Sequence, residues 1–249
     1  MLKLPLTVVA AVSALILAAC APAGSAPQSP TASESTSASG SASPSEASPS
    51  PSPSDSSKPS KVLYLTFDDG PSVPFTRQIL DIFEEYNSKT TFFIYGAFAR
   101  VNPGVVKDIV SRGQAIGNHT YNHPNLTTLS DDAVRKELSK TADVVGPGMG
   151  PCMRPPYLAT NDRVRRISKQ EGYSTVLGDL SAADWTVPPV STLMASLRAA
   201  SKNKAIIIIH DGPQLRQNTV AAVRQLMPWW IKKGFSLESL PQCVNPVQP

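Results

Sequence analysis

The chain has 249 residues, of which 41% are hydrophobic, and carries 23 Lys plus Arg against 19 Asp plus Glu, a formal net charge of +4. With no basic run interleaved with aromatics, so small a surplus argues against a nucleic-acid partner and fits an ordinary solvated surface.

The first 20 residues read as an export signal, with Lys3 as the positive start, an apolar stretch from Val8 to Ala19, and a close on Leu17-Ala18-Ala19-Cys20. The stretch is shorter than the roughly 20 apolar residues of a spanning helix. Small residues before a cysteine resemble the bacterial lipobox, so Cys20 is the expected lipidation point and would anchor the protein extracytoplasmically to the bacterial cell membrane. An ordinary signal peptide with an incidental cysteine is the alternative. Residues 21–60 are mostly Ser, Pro and Ala and should form a disordered tether. Proline-rich chain of that length spans at most about 120 Å, at ~3.1 Å per residue.

Residues 61–249 number 189 and suit one α/β domain better than two. They hold 21 Lys plus Arg against 16 Asp plus Glu, a mild bias toward an anionic wall polymer. Apolar, β-branched runs alternate here with amphipathic stretches. The pattern predicts strand 62–67 then helix 74–86, strand 90–95 then helix 104–112, and strand 115–117 then helix 131–145. A weak strand near Met153 follows, then helix 161–170, strand 173–177, helix 192–200, strand 205–209, helix 219–232 and a short strand 235–237. Ser130 and Asn161 are the expected N-caps. About seven strands in β-then-α rhythm predict an α/β fold with a parallel sheet or barrel. In a parallel barrel the strand ends meet on one rim, and the polar residues fall there: Asp68 and Asp69, His119, Arg154, Asp184 and His210.

The chain has three histidines, and each lies in such a stretch. His119 and His123 are four apart, the spacing of a one-turn metal pair, although Pro124 biases His123 toward a tight loop or a helix end. With Asp69 they would make three ligands and leave an open position, a set that suits zinc best, with cobalt or another divalent ion as alternative. Asp68-Asp69-Gly70-Pro71 by itself reads equally well as a turn. His210 closes a run of four isoleucines, and an imidazole delivered there can act as a general acid; a satisfied structural histidine is the other reading. Outside Cys20, Cys152 and Cys243 form an even pair and are expected to be bonded, with two free thiols as the alternative.

Taken together, Thr66-Phe67-Asp68-Asp69-Gly70-Pro71, His119-Thr120-Tyr121-Asn122-His123-Pro124, Arg154-Pro155-Pro156-Tyr157, Asp184-Trp185 and Ile208-Ile209-His210 resemble, in order, the five motifs of the polysaccharide deacetylases, the NodB-homology domain of carbohydrate esterase family 4. The resemblance covers about Val62 to Leu240. It implies a distorted (β/α) barrel and metal-dependent removal of acetyl groups from a carbohydrate polymer; the tether, by location, points to the N-acetyl groups of peptidoglycan or other N-acetylglucosamine glycans. An O-acetyl xylan esterase and a non-catalytic wall-binding lipoprotein are the alternatives. By position, Asp68 would be the base, Asp69, His119 and His123 the metal ligands, and His210 the acid. Arg154 and Asp184 would tune base and acid, the Tyr157 N–H would receive the oxyanion, and Trp185 and Ile208 would wall the acetyl pocket. Leu158, where the family often has glycine, and Ser181, where it often has aspartate, depart from the pattern and bear on substrate and rate.

Overall fold

The computed structural model describes residues 59–245. The export signal, Cys20 and the tether up to residue 58 lie outside the described residues. Among the described residues, no helix is long and apolar enough to cross a membrane.

Eight strands build one sheet, and every pairing is parallel: β1 (Lys61–Asp68), β2 (Thr91–Ile94), β3 (Ala115–Asn118), β4 (Cys152–Met153), β5 (Ser174–Thr175), β6 (Leu180–Ser181), β7 (Ile206–His210) and β8 (Phe235–Leu237). Seven lie along one path, β5-β4-β3-β2-β1-β7-β6, while β8 pairs with the first half of β1. The result is a distorted, incomplete (β/α) barrel with β5 and β6 as its edges. Both edge strands are two residues long, which limits the unpaired backbone they offer to another chain.

Helices α1 (Val73–Glu85), α2 (Gly96–Val101), α3 (Pro103–Ser111), α4 (Asp131–Val145), α5 (Asp162–Gln170), α6 (Val190–Ala200) and α7 (Gln217–Lys232) complete the βα rhythm. Ser130 caps α4 by accepting from the Ala133 N–H, and Asn161 caps α5 by accepting from the Val164 N–H, as their side-chain chemistry predicts. The main core packs α1, α6 and α7 onto the central strands, with Leu65, Phe67, Phe92, Ile207, Ile209 and Trp230 all fully buried. β7 carries isoleucine on both faces, the pattern of an interior parallel strand, whereas β1 alternates Leu63, Leu65 and Phe67 on one face with Thr66 and Asp68 on the other.

Two elements escape the sequence pattern. α2 is only six residues long and opens on glycine, too short to show a helical period. β6 is a two-residue edge, so Asp184 follows the sixth strand and His210 ends the seventh, each one later in the count than expected. The strand expected over 173–177 shrinks to Ser174–Thr175, which pairs on one side only. Register still brings the essential ends together: Asp68 lies directly beside His210, with Phe93 on its other side. Cys152 and Cys243 are bonded, their Cα atoms 4.9 Å apart, which ties β4 to the C-terminal segment.

Candidate active site

β1 ends on Asp68, and the chain turns at Asp69 with φ 69. Asp211, fully buried just beyond β7, seats this turn. Its N–H donates to Asp68 O at 3.1 Å, its Oδ2 accepts from Thr76 Oγ1 at 2.5 Å, and its carbonyl accepts from Ser72 Oγ at 2.7 Å. A Cβ on residue 70 would collide with the Asp211 carboxylate, so close approach demands glycine there. Burial pushes the Asp211 carboxyl up to about 7; the Thr76 bond opposes this, and the nearby Asp69 and Asp68 charges add to it.

β3 delivers His119, whose Nδ1 donates to Arg154 O at 2.7 Å and so leaves Nε2 free to act as a ligand. Thr120 and His123 both have left-handed backbone, φ 67 and 58, so a tight loop spans the four-residue spacing and not a helical turn. The Nε2 atoms of His119 and His123 lie 3.5 and 3.2 Å from Asp69 Oδ1. Three ligand atoms thus fall within 4.8 Å of one another, and Asp69 Oδ1 is a buried oxygen with no hydrogen-bond donor of its own. An orphaned carboxylate oxygen facing two imidazole nitrogens is the donor set of a divalent cation with coordination positions to spare, so the residues fit a metal. Burial works to raise the Asp69 pKa, but the facing His119 and His123 hold the carboxyl well below the usual range, in its ligating form.

Two further hydrogen-bonded pairs adjoin this triad. Asp68, buried, accepts from Arg154 Nη1 at 2.7 Å, and the same Nη1 donates to Thr66 Oγ1 at 2.7 Å. The guanidinium lies 4.0 Å over the Phe93 ring, and burial lowers its pKa while the Asp68 charge counteracts. Across the cleft, His210 Nδ1 donates to Asp184 Oδ1 at 2.7 Å, and the His210 backbone N–H donates to Asp184 Oδ2 at 2.9 Å. Thr219 Oγ1 adds a third bond to that carboxylate at 2.8 Å. Burial alone would lower the His210 pKa; Asp184, with Asp68 and Asp69 nearby, outweighs it and holds the imidazole above its ordinary value.

These groups line a cleft of about 380 Å³ together with Pro155, Tyr157, Leu158, Ser181, Trp185 and Ile208. Tyr157 is 71% exposed and Trp185 53%, their rings set edge-on to His123 and His210 at 4.8 and 5.5 Å. Every residue expected at the site is brought to this rim. Arg154 and Asp184, expected to tune base and acid, lie behind the lining at 0% and 1% exposure, the one hydrogen-bonded to Asp68 and the other to His210. Thr66, Thr219 and Asp211 were missed. Asp211, adjacent to His210, was visible as a strand-end acid; Thr219 reaches Asp184 from a helix 35 residues away and left no local signal.

Among the described residues, seven of the nine non-glycine residues with positive φ (Asp69, Thr120, His123, Tyr157, Leu158, Ala183 and Val187) lie in the loops of this rim. Each such residue costs about 1–3 kcal/mol and persists where its surroundings over-determine it, as functional sites do. A buried carboxylate and a hydrogen-bonded imidazole lining one cleft with a triad that fits a cation can carry the transfer of an acyl group to water. Fold and site together therefore define a hydrolase built on the rim of an incomplete (β/α) barrel.

Comparison with known proteins names the family. The polysaccharide deacetylase family model matches residues 55–176. A chitooligosaccharide deacetylase of Rhizobium leguminosarum bv. trifolii is 32% identical over an alignment of 197 residues that covers 72% of this chain and 90% of that protein. A peptidoglycan-N-acetylglucosamine deacetylase of Bacillus cereus is 33% identical over 179 residues, 70% of this chain and 84% of that one. The solved family 4 carbohydrate esterase from Streptomyces lividans, in complex with acetate, superposes with a TM-score of 0.66 at 30% identity, covering 72% of this chain and 92% of that chain. The chain belongs to the polysaccharide deacetylase family and is a carbohydrate deacetylase.

Proposed function

We propose that this enzyme is a divalent-metal-dependent N-deacetylase acting on the N-acetylglucosamine units of peptidoglycan. We propose further that lipid on Cys20 holds it at the outer face of the bacterial cell membrane. The observation that carries the reading is that Asp68 and His210, each hydrogen-bonded to a buried partner, Arg154 or Asp184, line one cleft with the Asp69, His119 and His123 triad. Zinc suits two imidazole nitrogens and one carboxylate oxygen.

Asp69, His119 and His123 would hold the ion, which when bound polarises the acetyl carbonyl and makes water a better acid. Asp68 takes the proton of the attacking water, and Arg154 keeps that carboxylate aimed. The Tyr157 N–H donates to the oxygen that gains charge as water adds to the carbonyl carbon. His210 then gives its proton to the sugar nitrogen as the carbon–nitrogen bond breaks, so a neutral amine and acetate leave. An amine departs as a far poorer anion than an alkoxide does. A leaving amine therefore needs a proton more than an alkoxide does, and His210 stands where it can supply one. Peptidoglycan is favoured by the tether and by the Bacillus cereus relative.

Acetate release from purified peptidoglycan, N-acetylglucosamine oligomers and acetylated xylan tests the reading. The expected outcome is release from peptidoglycan that a chelator abolishes and added zinc or cobalt restores. Release from xylan alone would make the enzyme an O-acetyl esterase, and release from the oligomers but not from peptidoglycan would move its substrate to free N-acetylglucosamine chains.

A further inference from the structure

The loop between the two ligand histidines has its backbone accounted for completely, and the account exposes one remote residue. Of its four N–H groups, that of Thr120 donates to Asn118 Oδ1 at 2.9 Å and that of His123 to Thr120 Oγ1 at 3.1 Å, both within the loop's own neighbourhood. The two in the middle, of Tyr121 and Asn122, donate at 2.9 and 2.7 Å to a single oxygen of Glu137, on α4. The other Glu137 oxygen accepts from Asn122 Nδ2 at 2.7 Å. The loop carbonyls face the opposite way: Gly96 and Ala97 N–H donate to Thr120 O and Tyr121 O, and Tyr95 Oη donates to Asn122 O.

The two histidines differ in what fixes them. His119 has a strand on one side and a ring nitrogen bonded to Arg154 O. The His123 ring, among the described residues, has aromatic neighbours and the Asp69 carboxylate but no hydrogen bond to hold its orientation. Its position therefore depends on its backbone, which is left-handed at both Thr120 and His123. A strained loop of that kind keeps its shape when strong bonds over-determine it, and a carboxylate receiving three N–H groups is the strongest grip on this one.

We propose that Glu137 is a positioning residue of the metal centre, holding the His119–His123 loop in the shape that aims His123 at the ion. The proposal rests on the reading of Asp69, His119 and His123 as metal ligands. Glu137 touches neither the ion nor the substrate, so its loss acts on metal affinity rather than on the chemical step. Groups that orient metal ligands typically change affinity about 10- to 100-fold when removed.

The test uses the full-length chain and zinc alone, with affinity read by competition against a chromophoric chelator and geometry read from the visible spectrum of the cobalt form. Glu137→Ala is expected to bind zinc about 10- to 100-fold more weakly, with an altered cobalt spectrum, and to regain acetate release at saturating zinc. Glu137→Gln keeps an acceptor for the two N–H groups but sets an amide donor against Asn122 Nδ2, so its affinity falls in between. Melting of the metal-free proteins separates this from general destabilisation, which would lower the melting point without changing the zinc affinity of folded protein. An affinity within about twofold of wild type in both variants, while His123→Ala loses zinc, overturns the inference and leaves the metal site standing. If wild type and His123→Ala bind zinc alike, the metal-site reading fails and this inference falls with it.

Discussion

The two walls of the cleft are built on different principles. On the deep wall, Asp68, Arg154, Asp184 and His119 are buried, charged or polar, and each is held by hydrogen bonds of 2.7 to 2.9 Å. On the outer wall, Tyr157, Leu158 and Trp185 are largely apolar and 38–71% exposed. A buried charge network tolerates almost no change, because removing one partner strands the other without water. An exposed apolar surface loses only contact area. On the proposed mechanism, the deep wall sets the reaction, while the outer wall sets what is presented to it.

The sharpest way to break this division is Asp68→Asn, which should lower kcat by about 10²- to 10⁴-fold with little change in KM, measured as acetate release. Substantial residual turnover would take the base away from the deep wall. Asp184→Asn comes next and is read in the pH profile. His210 must be protonated to serve the leaving amine, so activity is present below its pKa and lost as pH rises through it. Asp184 is what outweighs burial and lifts that pKa. Its neutral replacement should move the alkaline limb to lower pH; a limb that stays in place would mean another group is the acid. On the outer wall, Trp185→Ala should raise KM by roughly tenfold, about 1.4 kcal/mol of binding, and leave kcat within a few-fold. A collapse of kcat instead would make Trp185 part of the chemistry. The smallest effect is expected of Leu158→Gly, where glycine accepts the left-handed backbone at φ 55 without strain. Turnover of a short oligomer should change by about twofold or less, while the preference among glycans shifts. Equal preference before and after would remove Leu158 from substrate choice.

What the sequence made legible follows the same division. Asp68, Asp69, His119 and His210 were readable because each sits at or next to the end of an apolar strand, where a short local pattern announces both the fold and the chemistry. The even pair of cysteines outside Cys20 announced a bond that the fold forms. The supports were not readable, since they come from afar: Thr219 reaches Asp184 across 35 residues and Glu137 reaches the histidine loop across 15 and 16. α2 and β6 are too short to carry a period, so the loops they brace gave no sign of being braced. The left-handed backbone at Thr120 and Tyr157 was equally silent, as neither is glycine or asparagine.

The bond between Cys152 and Cys243 joins positions 91 residues apart, and Cys152 stands two residues before Arg154. A crosslink spanning so long a loop removes about 4–5 kcal/mol of unfolded-state freedom by the chain-entropy account. Reducing agents in a purification buffer would therefore erode the shelf life of the preparation before touching its turnover. Material made in a thiol-rich compartment would likewise leave β4, two residues before the guanidinium that bonds Asp68, without its covalent tie to the C-terminal segment.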